Sequence, residues 1–245
     1  MTAKTAAVNS TVQTLLSHRS IRRFSSQPID HATLETLINV ARAASTSNFL
    51  QCVSIIRVTD TALREELMHC ASDQAYVRSA AEFWVFCADF SRHRAVCPEA
   101  QVDYTEVSLI GAVDAGIMAQ NVLTATESLG LGGVYIGAIR NKIERVGELL
   151  KLPAFCVPLF GLCLGYPDQN PPLKPRLPQD LMFFENRHQP LDRAVLAQYD
   201  AVVANYYRQR SQIEMDWSRN VKKTLAKPVR PQTLPYFQKQ GFMKK

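Results

Sequence analysis

The side chains best suited to chemistry are concentrated in one short run near the start of the chain. His18, Arg19, Ser20 and Arg22 place a ring nitrogen, two guanidinium groups and a hydroxyl group within five residues. Such a concentration of hydrogen-bond donors matches phosphate oxygens and the carbonyl edge of a heterocycle. A solvated basic turn is the alternative interpretation, because short basic runs are common on protein surfaces.

A second basic cluster, formed by Lys174 and Arg176, lies in a proline-rich segment between residues 167 and 178. Proline restricts the backbone, so this segment can hold the two cationic side chains in place. A shared anion explains two basic clusters on one fold better than chance does. We therefore predict that the chain binds a small ligand that carries phosphate.

The net charge of +6 would also allow binding to nucleic acid or to a membrane surface. The Lys and Arg residues are spread along the chain, and no RNP-type motif, zinc finger or helix-turn-helix signature accompanies them. A non-enzymatic nucleic-acid-binding protein is the competing class of function, and the sequence favours small phosphate ligands over it. We expect no nucleic-acid partner.

No segment of the sequence is suited to secretion or to crossing a membrane. The first ten residues contain no apolar run of signal-peptide length, and Asp114 and Gln120 interrupt the most apolar stretch. We therefore expect a cytoplasmic protein with no membrane partner. The six cysteines form no Cys-x-x-Cys pair and several lie in apolar runs, which predicts buried, reduced thiols.

Motifs for metal, nucleotide-loop and hydrolytic chemistry are missing from the sequence. The tightest group of possible metal ligands, Cys87, His93 and Cys97, has no fourth ligand at a suitable spacing, so we predict no metal. The glycines between 130 and 137 follow a helix and open a strand, which is the reverse of a Rossmann fingerprint. No Gly-x-Ser-x-Gly, His-Glu-x-x-His or Walker-type motif is present. We therefore expect a bound cofactor to carry the chemistry and no catalytic side chain.

Strand and helix patterns alternate along the chain and predict an α/β or α+β sandwich. Strands are expected at Cys52–Thr59, Glu82–Phe90, Gly133–Ile139 and Val157–Leu164. Helices are expected after the N-capping residues Asp30, Asp60 and Asn141, and again over residues 191–207 and 216–225.

The longest predicted helix runs from about Val102 to Leu129 and is followed by Gly130, a residue favoured just after helix ends. Apolar residues cover most of its circumference, so the helix must be buried almost all round. A single small domain rarely has enough material to wrap such a helix. Burial against a second subunit is therefore expected.

Five segments, taken in order, closely resemble the bacterial family of oxygen-insensitive NADPH nitroreductases and NADPH-flavin oxidoreductases. They are HRSIRRF, STSNFLQ, LGLGGVYIGAIRN, VPLFGLCLGYP and PPLKPRLP, and the resemblance covers roughly residues 15–240. It implies an α+β nitroreductase-like fold in one domain over residues 1–245, with a central mixed sheet flanked by helices. It further implies an intertwined homodimer with FMN at the subunit interface, and a helical C-terminal extension from about residue 191 that reaches the partner.

The same resemblance assigns binding residues to this sequence. Contacts to FMN are implied for His18, Arg19, Ser20, Arg22, Thr46, Gln74, Tyr135, Ile136, Gly137, Ala138, Lys174 and Arg176. Contacts to NADPH are implied for Arg208 and Arg210. Arg22 would stabilise the negative charge that grows on the flavin during reduction.

The reaction implied by the resemblance is hydride transfer from NADPH to FMN, followed by a two-electron transfer to a nitro compound, a quinone or a related acceptor in a ping-pong sequence. A flavin reductase that supplies free reduced FMN is the alternative enzyme. The residues after Arg210 read Ser-Gln-Ile-Glu-Met, where relatives can carry further basic side chains. We therefore expect weaker discrimination against NADH than in those relatives.

Overall fold

The computed structural model describes residues 8–245, and these group into two compact units. The first unit contains the chain up to Asn170 together with Arg230–Lys245, and the second is Pro171–Val229. The helices are α1 Ser10–Leu16, α2 His31–Arg42, α3 Thr61–Cys70, α4 Tyr76–Ser79, α5 Ser91–Val96, α6 Thr105–Ser128, α7 Ile143–Leu149, α8 Arg193–Ser211, α9 Trp217–Leu225 and α10 Thr233–Lys239. Short 3₁₀ helices span Ser47–Phe49, Gly137–Lys142 and Gln179–Leu181.

A four-stranded sheet forms the centre of the first unit. Its strands are β1 Val53–Arg57, β2 Glu82–Asp89, β3 Gly132–Ile136 and β4 Cys156–Gly165, in the spatial order β1-β2-β4-β3. Every pair of neighbouring strands is antiparallel. The prediction of an α+β fold is confirmed, while the prediction of a mixed sheet is wrong for the pairings within the described chain. Two helical segments connect β1 to β2, and two connect β3 to β4. Because the strands of each pair are antiparallel, each connection leaves and re-enters the sheet at the same end.

Helix starts were predictable where a short acidic side chain precedes the first turn. Asp30 accepts a hydrogen bond from Thr33 N, and Asp60 accepts one from Leu63 N, which confirms both predicted N-caps. The predicted cap at Asn141 is wrong. Its side chain donates to Ser72 and accepts from Arg230, and α7 begins without a side-chain cap.

The predicted strand Gly133–Ile139 is too long at its carboxyl end. β3 stops at Ile136, and the chain turns into a 3₁₀ helix from Gly137. A side chain, and not a neighbouring strand, bonds backbone groups of this 3₁₀ helix: Gln232 donates to the carbonyl oxygens of Arg140 and Asn141 at 3.0 and 2.9 Å. Backbone groups satisfied in this way need no neighbouring strand.

Helix α6 packs one side against the sheet and leaves the other side open. Ala115, Ala119 and Val122 are fully buried, whereas Leu109, Val113 and Ile117 are exposed along the opposite face. By length and composition alone the helix could also cross a membrane, with a mean hydropathy of 1.3. The core of the first unit buries one face of the helix. The predicted second subunit would pack against the exposed apolar face.

The cysteines follow the expectation of buried thiols closely. All six lie among the described residues and are free, and five of them are buried. Cys97 is the exception, with partial exposure in the segment after α5. Burial raises the pKa of Cys52 to about 12, with the neighbouring Asp114 carboxylate adding to the effect, so this thiol stays protonated.

Candidate functional site

The basic segment at the start of the chain lies against the ends of β3 and β4. Ile21 N donates to Gly133 O at 3.0 Å, and Ser25 N donates to Tyr166 O at 2.9 Å. Ile21 covers Gly132, where an added Cβ would come within 2.6 Å of the isoleucine side chain. Glycine at 132 therefore allows the close approach that fixes the basic segment on the edge of the sheet.

Two carbonyl- or carboxylate-bearing side chains orient the first residues of this segment. His18 Nδ1 lies 2.6 Å from Glu127 Oε1, at the end of α6. Arg19 Nη1 donates a hydrogen bond to the side-chain oxygen of Asn170. Arg19 Nε is buried and has no hydrogen-bond partner among the described residues. Arg19, Glu127, Gly132 and Asn170 line a cleft of about 260 Å³, which leaves one unused buried donor beside an open space.

Arg22 and Gln74 lie on neighbouring segments. Arg22 is exposed, and Ser20 is partly buried. Burial raises the pKa of Tyr76, and the nearby Arg22 guanidinium opposes that rise, which places Arg22 beside the start of α4. Gln74 is half-buried just before α4, and its backbone carbonyl oxygen accepts a hydrogen bond from Val77 N at 2.9 Å. The basic segment and the turn that carries Gln74 therefore adjoin each other.

The buried Arg64 holds the end of α4, the short helix that follows this turn, from inside the protein. Arg64 Nη2 donates to Ala80 O at 2.7 Å, and its Nε donates to Val77 O at 3.2 Å. Carbonyl groups at the end of such a short helix would otherwise lack partners. A charged side chain from α3 thus satisfies carbonyl groups at the carboxyl end of α4.

The predicted strand contacts differ in accessibility. Tyr135 is 37% exposed and its hydroxyl donates to Gln120 Oε1 at 3.3 Å. Burial raises the pKa of Tyr135 to about 12 and the negative charge of Glu127 adds to it, so the phenol is neutral at physiological pH. The side chain of Ile136 is buried in the core, so only its backbone is open to a ligand. Gly137 and Ala138 are half-buried at the start of the 3₁₀ helix.

Thr46 lies apart from these residues, near the other edge of the sheet. Its hydroxyl donates to Asp114 Oδ2 at 2.5 Å, and it lines a cleft of about 250 Å³ with Val53 of β1. β1 and β3 are the two edge strands of the sheet. Within the described residues of one chain, Thr46 is therefore not brought together with the basic segment that borders β3.

The second unit carries the remaining predicted residues. Lys174 Nζ lies 5.3 Å from the centre of the Tyr207 ring, and Arg176 is exposed.

The two arginines predicted to contact NADPH lie on α8. Arg210 Nη1 donates a hydrogen bond to Tyr206 Oη at 3.1 Å. Arg208 is exposed and its Nε lies 3.6 Å from Glu214 Oε1. Aromatic rings of α8 therefore hold two of the four cationic groups, Lys174 and Arg210, in place.

Sequence reasoning missed the acidic and amide partners of the predicted residues. Glu127 binds His18, Asp114 binds Thr46, and Asn170 binds Arg19. A usable signal existed for Asp114 and Glu127, because both are carboxylates in a helix that is predicted to be buried almost all round. A carboxylate on the buried side of a helix needs a hydrogen-bonding partner. Asn170 carried no such signal.

Comparison with protein families gives two matches that together cover most of the chain. The model of the nitroreductase family matches residues 15–166. The model of the nitroreductase family, C-terminal domain, matches residues 174–245. The boundary between the two models lies close to Asn170, where the first structural unit gives way to the second.

Individual proteins match over nearly their whole length. The oxygen-insensitive NADPH nitroreductase of Salmonella typhimurium is 56% identical, over 95% of this chain and 98% of its own. The NADPH-flavin oxidoreductase of Vibrio harveyi is 50% identical, over 97% of this chain and 100% of its own. The crystal structure of nitroreductase A from Vibrio parahaemolyticus superposes with a TM-score of 0.95 at 54% identity, covering 98% of this chain and 100% of that one.

Proposed function

This chain belongs to the nitroreductase family, and from that premise we propose that it is an FMN-dependent oxidoreductase, an oxygen-insensitive NADPH nitroreductase. It takes hydride from NADPH and delivers two electrons to nitroaromatic or nitrofuran compounds, quinones or related acceptors in a ping-pong sequence. The observation that carries the proposal is full-length similarity to an NADPH nitroreductase, together with a cluster of donors on the edge of β3.

The residues of the β3 edge fit the phosphate and the polar edge of FMN. Arg19 Nε is a buried donor without a partner in the described part of the chain, and it adjoins an open cleft. A buried donor without a partner costs free energy unless a ligand or water supplies an acceptor. FMN offers phosphate oxygens and carbonyl groups, so the donors of Arg19, Ser20 and Arg22 match it in chemistry, and His18 contributes a ring nitrogen from the same segment.

When bound, FMN supplies the two-electron redox chemistry. Arg22 provides a positive charge that stabilises negative charge as it develops during reduction. Tyr135, Gly137 and Ala138 would line the flavin, with Tyr135 kept neutral by its raised pKa. Ile136 contributes its backbone, and Gln74 and Thr46 contribute polar contacts. No side chain acts as a nucleophile.

The cationic residues of the second unit serve the phosphates of the two nucleotides. Lys174 and Arg176 would hold the phosphate and ribityl end of FMN, and Arg208 and Arg210 would bind NADPH. Guanidinium groups suit this role because they form paired, charge-assisted hydrogen bonds with phosphate oxygens. The bond between Arg210 and Tyr206 supports the assignment, because a preoriented guanidinium loses less conformational freedom on binding.

We propose a homodimer, with residues 1–245 forming one nitroreductase-like domain whose helical extension from about residue 191 reaches the partner. Two observations support it. The exposed apolar face of α6 lacks a covering element among the described residues. Thr46 and the basic segment lie at opposite edges of the sheet, so two chains are needed to unite them at one flavin. Free, buried thiols are consistent with a cytoplasmic location.

A flavin reductase is the second candidate, because relatives are an NADPH-flavin oxidoreductase and an FMN reductase (NADPH) of Bacillus subtilis, the latter 37% identical. The proposed function is tested by purifying the protein, recording flavin absorbance and measuring turnover with NADPH or NADH against nitrofurazone, a quinone and free FMN. A yellow protein with faster nitrofurazone than FMN reduction supports a nitroreductase. Faster reduction of free FMN supports the flavin reductase, and a colourless protein that does not bind added FMN contradicts both.

A further inference from the structure

A buried carboxylate lies beside Thr46, at the same cleft. Asp114 projects from α6 and is 3% exposed, so its charge must be compensated by hydrogen bonds. It accepts from Thr46 Oγ1 at 2.5 Å, from Ser47 N at 3.1 Å and from Cys52 Sγ at 3.5 Å. All three donors belong to one segment, Thr46–Cys52. Asp114 therefore acts as the anchor of that segment.

The anchored segment has a backbone that would not hold this shape unaided. Asn48, Phe49 and Gln51 have φ angles of 47°, 57° and 54°, in the left-handed region that side chains with a Cβ rarely adopt. The far end is fastened by His93 Nε2, which lies 2.7 Å from Leu50 O. Such a conformation persists only where surrounding contacts determine it, and here the contacts come from α5 and α6.

The hydrogen bonds of the Thr46 hydroxyl fix its polarity. A threonine hydroxyl has one proton to donate and two lone pairs to accept with. The proton points to Asp114, and one lone pair accepts from Gln51 N at 2.9 Å. One lone pair remains, and Thr46 borders a cleft of about 250 Å³. Toward a ligand in that cleft, Thr46 is an acceptor and not a donor.

We propose that Asp114 is a positioning residue that presents Thr46 to the flavin as a hydrogen-bond acceptor. The proposal rests on the proposed function, because it takes FMN as the ligand that Thr46 contacts. It defines which part of FMN meets Thr46: a group with a proton to give, either the imide N3–H or a ribityl hydroxyl. The carbonyl oxygens and the phosphate are excluded as partners of this hydroxyl.

The variant Asp114→Asn should reverse the polarity of Thr46 with little change in shape. Oδ1 lies 3.1 Å from Ser47 N, so the amide oxygen can keep that contact. The amide NH₂ then faces Thr46, which must accept from it and turn its own proton toward the cleft. The hydroxyl proton of Thr46 would then face the N3–H or ribityl hydroxyl proton of FMN, and the hydrogen bond between them would be lost.

The test is a double-mutant cycle on FMN affinity, measured by titrating apoprotein with FMN and following flavin fluorescence. Asp114→Asn and Thr46→Val should each raise the FMN dissociation constant by about three- to tenfold, the range for one hydrogen bond. Asp114→Asn should have no further effect in the Thr46→Val background, because the residue acts through Thr46. Thr46→Ser should retain affinity within about twofold, since it keeps the hydroxyl group.

A matched control is Asp89→Asn. Asp89 accepts from Ser54 Oγ at 2.5 Å and from Ser91 N at 3.0 Å, a similar bonding pattern at a carboxylate that the flavin assignment does not include. This variant should lower the melting temperature without changing FMN affinity. If Asp114→Asn fails to fold, the acceptor role that the proposal gives to Thr46 is tested with FMN analogues methylated at N3 or lacking one ribityl hydroxyl. Wild type should lose affinity for one such analogue by a factor that Thr46→Val does not show.

Three outcomes overturn the proposal. The first is an unchanged FMN dissociation constant in Asp114→Asn. The second is an Asp114→Asn substitution that raises the dissociation constant by the same factor in the wild-type and Thr46→Val backgrounds. The third is a loss of affinity for the FMN analogues that is equal in wild type and Thr46→Val. Each of these requires that wild type binds FMN, so they leave the proposed function in place. Wild-type apoprotein that does not bind FMN contradicts the proposed function itself, and the positioning role falls with it.

Discussion

Glu127 lies 2.6 Å from Nδ1 of His18 and joins the end of α6 to the basic segment along β3. An ionised carboxylate only accepts hydrogen bonds, so the bond places the proton of His18 on Nδ1. Nε2 is then the ring atom left for a ligand. The same carboxylate contributes to the raised pKa of Tyr135, so one acidic side chain influences two of the predicted flavin contacts.

Glu127→Leu should therefore weaken FMN binding by releasing the His18 ring. We expect the dissociation constant to rise by about three- to tenfold, the effect of one lost oriented hydrogen bond. In ¹⁵N-histidine spectra the His18 signal should lose the signature of the Nδ1–H tautomer. Glu106→Leu, on the exposed first turn of the same helix, is the control and should change neither quantity. An unchanged His18 signal in Glu127→Leu would contradict the orienting role.

Arg22→Ala should weaken FMN binding and slow flavin reduction by NADPH together. The guanidinium supplies both a contact and a positive charge where negative charge develops. A loss of one charge-assisted contact predicts roughly a ten- to hundredfold rise in the FMN dissociation constant. Stopped-flow reduction at saturating FMN separates the two effects. Normal FMN retention with an unchanged reduction rate would remove Arg22 from the site.

Elements with strong local signals were predictable from the sequence, and long-range pairings were not. Asp30 and Asp60 cap their helices as expected, because an N-cap depends on residues three positions apart. β3 ends at Ile136, and the 3₁₀ helix that follows it is held by Gln232, which is remote in sequence, so no local pattern could reveal that contact. The antiparallel order of the sheet likewise depends on how the connections pack.

The same division applies to the candidate site. His18, Arg19 and Arg22 stood out because their types and spacing suit an anion. The separation of Thr46 from them by the width of the sheet could not be read from spacing, because it reflects the strand order. Asp114 interrupts an apolar run of the sequence, but its contact with Thr46, 68 positions away, depends on the fold.

Val113→Asp should convert the protein to a monomer and reduce its FMN content. Val113 is exposed in the middle of the apolar face of α6, and a charge there would have to be buried in the proposed interface. Sedimentation velocity at micromolar concentration measures the change. Val96→Asp is the matched control, because Val96 is 87% exposed on α5. A flavin-loaded wild-type monomer, or a Val113→Asp dimer, would contradict the proposed assembly.

Asp89 should stabilise the fold at neutral pH and lose that effect in acid. Burial alone would raise its pKa, but hydrogen bonds from Ser54 and Ser91 outweigh burial and hold the pKa below its ordinary value. A lowered pKa stabilises the folded state above the unfolded value of about 3.9, and this is lost as the pH falls through the folded value. Asp89→Asn should therefore cost roughly 1–3 kcal/mol of unfolding free energy at pH 7. Urea unfolding from pH 7 to pH 3 should show the difference narrowing, and a constant difference would contradict this account.

Arg210→Ala should raise the Michaelis constant for NADPH while leaving NADH kinetics nearly unchanged. Tyr206 orients the guanidinium through a 3.1 Å hydrogen bond and a ring centre 5.8 Å away. A charge-assisted contact to the extra phosphate of NADPH is worth about 1.5–3 kcal/mol, which corresponds to a ten- to hundredfold change. Steady-state kinetics with both nucleotides, together with FMN content, measure the effect.

Arg193→Ala is the control for the loss of a positive charge, because Arg193 is exposed at the first turn of the same helix. It should leave both nucleotides unaffected. α8 ends at Ser211, and Gln212 adopts a left-handed conformation there, so no basic side chain follows Arg210 in the helix. Wild type should therefore prefer NADPH by a smaller factor than relatives with further basic residues. Equal effects of Arg210→Ala on NADPH and NADH would show that Arg210 does not recognise the extra phosphate.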